Sequence, residues 1–296
     1  MTALKTSALN PLKGTRIVSL ALNLPGPAAL MRCQQLGAIC TKFEPPSGDP
    51  MRHYNPAAYA ALHAGITSRT ADLKSQAGQN VLHNALGKAD VLLTSFRPSA
   101  LRKLGLGFKE LHKKHPQLCQ VAIVGSRGAR AEEPGHDLTY LAEQGLVTGL
   151  DLPPTLYADM GGSIMASEAV LAVLMQRTKK SKGVFAEVAL SEAAAYLALP
   201  RSWGLTLPGA AVGGGHAGYQ IYACNDGRVA VAALEPHFAA RLCAAASIAL
   251  TDPSDMFSST TQKLLGKFFK HQTCAALARL ALEQDVPLHP LKNLPE

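Results

Sequence analysis

Short apolar runs alternate with helically spaced stretches along the first half of the chain. Residues 16–22 form one such run, closed by Asn23-Leu24-Pro25-Gly26-Pro27. Ala28 to Leu36 then has helical spacing and stops at Gly37. A second run, residues 38–44, ends at Pro45-Pro46, so the opening predicts a βαβ unit with two parallel strands. Further runs at 89–96 and 118–124 each follow a helical segment. Together they predict an α/β domain with a mostly parallel sheet, a fold that takes ligands at the carboxyl ends of its strands.

Ser163 to Gln176 predicts a helix that starts after Asp159-Met160-Gly161-Gly162, and the texture changes after Tyr196. Residues 205–218 are rich in Gly and Pro and poor in charge, which predicts a linker or mobile loop. Two alternating runs, 218–224 and 228–234, flank Asn225-Asp226-Gly227 and predict a hairpin. Phe238 to Glu283 reads as helical, with an interruption at Thr251-Asp252-Pro253. The expected organisation is a large α/β domain over residues 1–200 and a smaller α+β domain over 201–296.

With 296 residues, 47% of them hydrophobic, the chain can build a full core in one large or two ordinary domains. The 29 Lys and Arg against 21 Asp and Glu leave a charge of +8, which favours an anionic partner. Nucleic acid is not the expected one. Aromatic residues are only 5%, and Lys113-Lys114, Lys179-Lys180 and Lys182 are scattered without aromatic interleaving. The six cysteines show no CxxC, paired spacing or adjacent His, so they read as buried thiols of a reducing compartment, not zinc ligands or disulfides. Met1 to Lys13 has no apolar leader and no later run reaches membrane-spanning length, so no membrane association and a cytoplasmic location are expected.

Four segments carry candidate chemistry. Gly135-His136-Asp137 opens a helical stretch, where Asp137 is an expected N-cap and free backbone N–H groups gather. Tyr157-Ala158-Asp159-Met160-Gly161-Gly162 sets a carboxylate before another helix, with glycines that permit close approach of a ligand or a second backbone. Leu234-Glu235-Pro236-His237 puts a carboxylate at a strand end, and Gly213-Gly214-Gly215-His216 reads as a flexible loop. No GxGxxG follows a strand and no GxxxxGK[ST] occurs, so nucleotide-fold fingerprints are absent.

The order of these motifs resembles the class III CoA-transferase family (CaiB/BaiF type), which includes α-methylacyl-CoA racemases. The likeness is carried by Leu36-Gly37-Ala38, Lys42-Phe43-Glu44-Pro45-Pro46-Ser47-Gly48-Asp49-Pro50, Asp72-Leu73-Lys74, Phe96-Arg97-Pro98, Pro134-Gly135-His136-Asp137, Asp159-Met160-Gly161-Gly162 and Leu234-Glu235-Pro236-His237-Phe238. It runs from residue 11 to about 240 and more thinly to Pro290. The resemblance implies a Rossmann-like large domain that binds coenzyme A, a smaller α+β domain and an interlocked homodimer. No prosthetic group is implied, because coenzyme A enters as part of the thioester substrate.

Transferases of this family use the aspartate at the Asp159 position as a nucleophile. Racemases use it as one proton-transfer base and a histidine at the His136 position as the other. The resemblance therefore nominates His136, Asp159, Glu235 and Asp137 as catalytic, with Glu235 orienting His136 and the helix start near Asp137 holding an enolate oxygen. It places Lys42 and Arg97, with Arg52 and Lys74 behind them, near the CoA phosphates and adenine. Keeping both His136 and Glu235 favours epimerisation of a 2-methyl-branched acyl-CoA. CoA transfer between carboxylic acids through an acyl-aspartate is the second expectation, and a non-catalytic CoA-binding relative the third.

The sequence departs from the family at residues 62–69, where most of a usual basic run is lost, and before Gly135, where the usual Gly-Pro is missing. The glycines at 213–215 are similar to the transferases' glycine loop. The stretch after Pro290 is shorter than the family's, so the return of the chain to the large domain is expected to be missing.

Overall fold

In a computed structural model that describes residues 9–292, the four apolar runs become the inner strands of one sheet. The whole sheet has six strands, β1 (Arg16–Ser19), β2 (Ile39–Glu44), β3 (Thr67–Thr70), β4 (Val91–Thr94), β5 (Cys119–Val124) and β6 (Phe185–Ala189), arranged β3-β2-β1-β4-β5-β6 with β3 and β6 at its edges. Every pairing is parallel, with Arg16 opposite Ile39 and Ile17 opposite Val91. Strands β3 and β6 have no counterpart in the apolar pattern. Thr67-Ser68-Arg69-Thr70 is polar and exposed along its whole length and becomes a strand because β2 supplies the ladder partners.

Side chains alternate across the sheet as strand geometry requires. Ile17, Val91, Leu93 and Val121 pack on one face beneath the helices Pro25–Gln35 and Tyr157–Lys180, and Val18, Leu92, Leu82 and Leu86 on the other. The first of those helices begins at Pro25, not Ala28. Proline is tolerated at a first helical position, where its missing N–H has no partner to lose. The second begins at Tyr157, six residues before the expected Ser163, so Asp159 lies in its first turn and Gly161-Gly162 inside it.

Those two glycines admit a helix, not a ligand. A Cβ on Gly162 would stand 2.3 Å from Leu190 Cδ2, and one on Gly161 3.2 Å from Leu197 Cδ1, both on the helix Leu190–Leu197. Tyr157–Lys180 is also long and apolar enough to cross a membrane, contrary to the expectation that no run reaches that length. In this fold its Ala166 and Val170 are fully buried and Val173 nearly so, so the apolar stripe serves the core.

The chain divides into two compact units, 1–198 and 199–296. The second holds an antiparallel sheet of β7 (Tyr219–Cys224), β8 (Gly227–Ala232) and β9 (Leu288–Lys292) in that order. Asn225-Asp226 is its two-residue turn, and helices Pro236–Ala245, Ser259–Lys270 and Cys274–Glu283 close the core around Val229, Leu242, Leu265 and Phe269. Residues 205–218 are not a mobile linker. Ala217 N–H donates to Met256 O at 2.7 Å, and His216 is buried with Nδ1 accepting from Gly218 N–H at 3.0 Å. Gly213 and Gly215 are there because a Cβ would meet Leu207 O at 1.9 Å and Gly209 O at 2.1 Å.

Candidate active site

The carboxyl ends of β1, β4 and β5 run into loops that enclose a cavity of about 480 Å³ in the first unit. It lies where the strand order reverses between β1 and β4, the switch point at which open parallel sheets leave a crevice. Asn23, Tyr54, Arg97, His136 and Asp159 line it.

Two glycines shape the loop that carries His136. Tyr140, buried in the helix Asp137–Glu143, fills the space beside both: a Cβ on Gly125 would stand 2.3 Å from its Oη, and one on Gly135 2.7 Å from Cζ. His136 takes the N-cap position, its N–H donating to Thr139 Oγ1 at 3.1 Å, and its ring is left exposed at the cavity. Asp137 is therefore not the cap of its own helix. It is buried at the first helical position, and its Oδ1 accepts the Asp159 N–H at 3.0 Å, which satisfies an orphan donor of the long helix instead.

That bond holds the start of the helix that follows His136 against the first turn that carries Asp159. The Asp159 carboxyl is pushed up from 3.8 to about 6, first by burial and then by the negative charge of Asp137, with His136 pulling the other way. A carboxyl near 6 holds its proton loosely at neutral pH and can both take and return one.

The nominated cations divide. Arg97 is exposed and lines the cavity. Lys74 is exposed. Arg52 is spoken for in part: its Nε donates to Glu44 Oε2 at 3.0 Å, and its guanidinium lies 4.2 Å from the Tyr59 ring centroid. Lys42 is a correction. Its side chain is fully buried and its ammonium is paired with Asp49 and with Glu44 Oε1 at 3.4 Å, so no charge is presented to a CoA phosphate. Glu235 belongs to the second unit, exposed at the N-cap of Pro236–Ala245.

The sequence pattern missed the group around Lys42. His63 Nδ1–H donates to Tyr59 O at 2.7 Å, which leaves Nε2 to accept from the Lys42 ammonium at 2.8 Å. Burial first, then the Lys42 charge, holds His63 below its ordinary value, consistent with a neutral ring. Asp49 Oδ1 also accepts from Asn23 N–H at 3.2 Å and Met51 N–H at 2.9 Å. Asn23, with φ of 63°, lines the cavity, so the buried charges fix its wall. Glu44 and Asp49 stand in the Lys42-to-Pro50 motif, but no spacing rule brings His63 to them.

Residues 12–296 match the sequence profile of CoA-transferase family III. The chain belongs to that family. It is 31% identical over 245 residues to the human α-methylacyl-CoA racemase, covering 77% of this chain and 62% of that protein. It is 31% identical over 202 residues to a probable fatty acyl-CoA transferase of Mycobacterium tuberculosis, covering 62% of this chain and 51% of that protein. The chain thus spans between half and two thirds of the length of these relatives. A solved CaiB/BaiF family protein from Brucella suis shares the fold, with a TM-score of 0.80 at 24% identity over 96% of this chain and 85% of that one.

Proposed function

We propose that this family member epimerises 2-methyl-branched acyl-CoA thioesters by proton transfer at the α-carbon. The observation that carries the reading is the pairing of His136 and Asp159 at one cavity, with the aspartate pushed up to about 6. Inverting the carbon needs one base to remove the α-proton and a second acid to return a proton to the opposite face, through an enolate. His136 and Asp159 supply the two groups, and each ends the turnover in the protonation state the other began with.

Asp137 acts through Asp159, by holding its backbone and adding negative charge beside it. The backbone N–H groups that open the Asp137–Glu143 helix are assigned to the enolate oxygen. Arg97 is assigned to an anionic group of coenzyme A. For Glu235 the resemblance is the one support, and Glu235→Gln tests a role as slowed exchange with unchanged CoA binding.

Asp159 also serves the second reading, CoA transfer through an acyl-aspartate, and the M. tuberculosis relative's name favours it. A carboxyl near 6 is mostly ionised at neutral pH and serves either reading, but His136 at the same cavity has a task only in the first. The deciding experiment follows the α-proton of a 2-methylacyl-CoA in D₂O by proton NMR, with the wild type, His136→Ala and Asp159→Ala. Epimerisation requires deuterium incorporation by the wild type that is lost or confined to one epimer in the variants. CoA binding without exchange refutes the proposal; an acyl-aspartate then trapped by hydroxylamine establishes transfer, and its absence a non-catalytic relative.

A further inference from the structure

Cys224 closes β7, Asp226 sits in the turn that follows, and Cys274 opens the helix Cys274–Glu283 fifty residues later. The second unit folds these three together. The sulfurs are 3.7 Å apart, Asp226 Oδ1 lies 4.0 Å from Cys224 Sγ, and one ligand atom from each residue falls within 4.8 Å of the others. We propose that Cys224, Cys274 and Asp226 form a binding site for a thiophilic divalent cation of the zinc class.

Three features support it. Two thiolates on a tetrahedral ion with ~2.3 Å metal–sulfur bonds are about 3.75 Å apart, the spacing already present here. The frame holds before any ion binds, because Asp226 Oδ1 accepts the Cys274 N–H at 2.6 Å and Asn225 N–H donates to Gln272 O at 2.8 Å. Both sulfurs are buried while Asp226 is exposed, so soft donors line the inner side and the remaining position opens to water.

Among the described residues, the other cysteines lack such a set. Cys40 Sγ points at the Leu30 carbonyl oxygen and Cys243 Sγ at Met256 Sδ. The second grouping of ligand atoms, Glu44, Asp49 and His63, already surrounds the Lys42 ammonium and has no place for a cation. The chain positions of Cys224 and Cys274 show no ligand spacing, which is why the sequence reads both as isolated thiols.

Binding converts two thiols to thiolates and releases two protons to solvent. The site ties the β7–β8 turn to the start of the last helix. The test titrates Cd²⁺ into the reduced, metal-stripped chain and follows thiolate-to-cadmium charge-transfer absorption, with Zn²⁺ as competitor. One cadmium per chain is expected, displaced by zinc, with the band abolished in Cys224→Ser and Cys274→Ser. Asp226→Asn, a change in an exposed turn, should weaken binding by at least about tenfold. Affinity should fall by about 100-fold for each pH unit lowered, as two released protons require.

No band in the folded, reduced chain, or a band unchanged in either cysteine variant, overturns the proposal. So does a reduced chain that binds nothing yet forms a Cys224–Cys274 disulfide with glutathione disulfide. Should the cysteine variants fail to fold, Asp226→Asn and the pH slope decide, and an unaltered affinity in either refutes the site.

Discussion

Replacing Asp159 with asparagine removes a carboxyl whose proton the fold holds more tightly than the unfolded chain does. Its value rises from 3.8 to about 6 on folding, chiefly through burial and then through Asp137. At ~1.36 kcal/mol per unit, ionised Asp159 destabilises the native state by up to about 3 kcal/mol. The sign follows from linkage. Below 3.8 both states are protonated and no penalty exists; between 3.8 and 6 the unfolded state ionises first, and stability is lost as pH rises. Above 6 the penalty is complete. Asp159→Asn keeps the backbone N–H that donates to Asp137 and removes the charge. Urea unfolding at pH 4.5 and pH 7.5 should therefore show the variant ahead by only about 1 kcal/mol at the lower pH. At the higher, the variant should be more stable by up to about 3 kcal/mol, roughly 6–12 °C in Tm. Loss of α-proton exchange should accompany that gain. A variant no more stable than wild type at pH 7.5, or a difference independent of pH, would refute both the strained carboxyl and its use as a base tuned near neutrality.

Arg97→Ala should raise KM for an acyl-CoA about tenfold and leave kcat nearly unchanged, because an exposed cation at the cavity contributes binding and not proton transfer; steady-state kinetics check it. Asp49→Asn leaves Lys42 buried without its closest counter-charge and should destabilise the chain by about 3–5 kcal/mol in urea unfolding. Gly125→Ala drives a methyl into Tyr140 Oη and should destabilise by about 1–3 kcal/mol. Adding Tyr140→Phe should recover most of that in a double-mutant cycle, because the next ring atom stands 3.3 Å away.

The apolar runs at β1, β2, β4 and β5 were legible in the chain because a buried parallel strand is largely apolar on both faces, even with Lys42 and Glu44 buried in β2. The Asn225-Asp226 hairpin was legible because its turn chemistry is local. His136 and Asp159 were named through motif order, and the charge of +8 pointed to an anionic partner.

The tertiary structure decided what depends on distant neighbours. A polar tetrapeptide became β3 because β2 offered hydrogen bonds, and the glycines at 161 and 162 served helix packing instead of a ligand. Lys42 is withheld from any CoA phosphate because Asp49, Glu44 and His63 converge on its ammonium. Asp137 became the holder of Asp159 across twenty-two residues, and Cys224 met Cys274 across fifty. Periodicity and capping act within a few residues of one another, and the chain carries them openly. Burial, charge pairing and proton affinity are set by what the fold brings within a few ångströms, and no spacing along the chain encodes that.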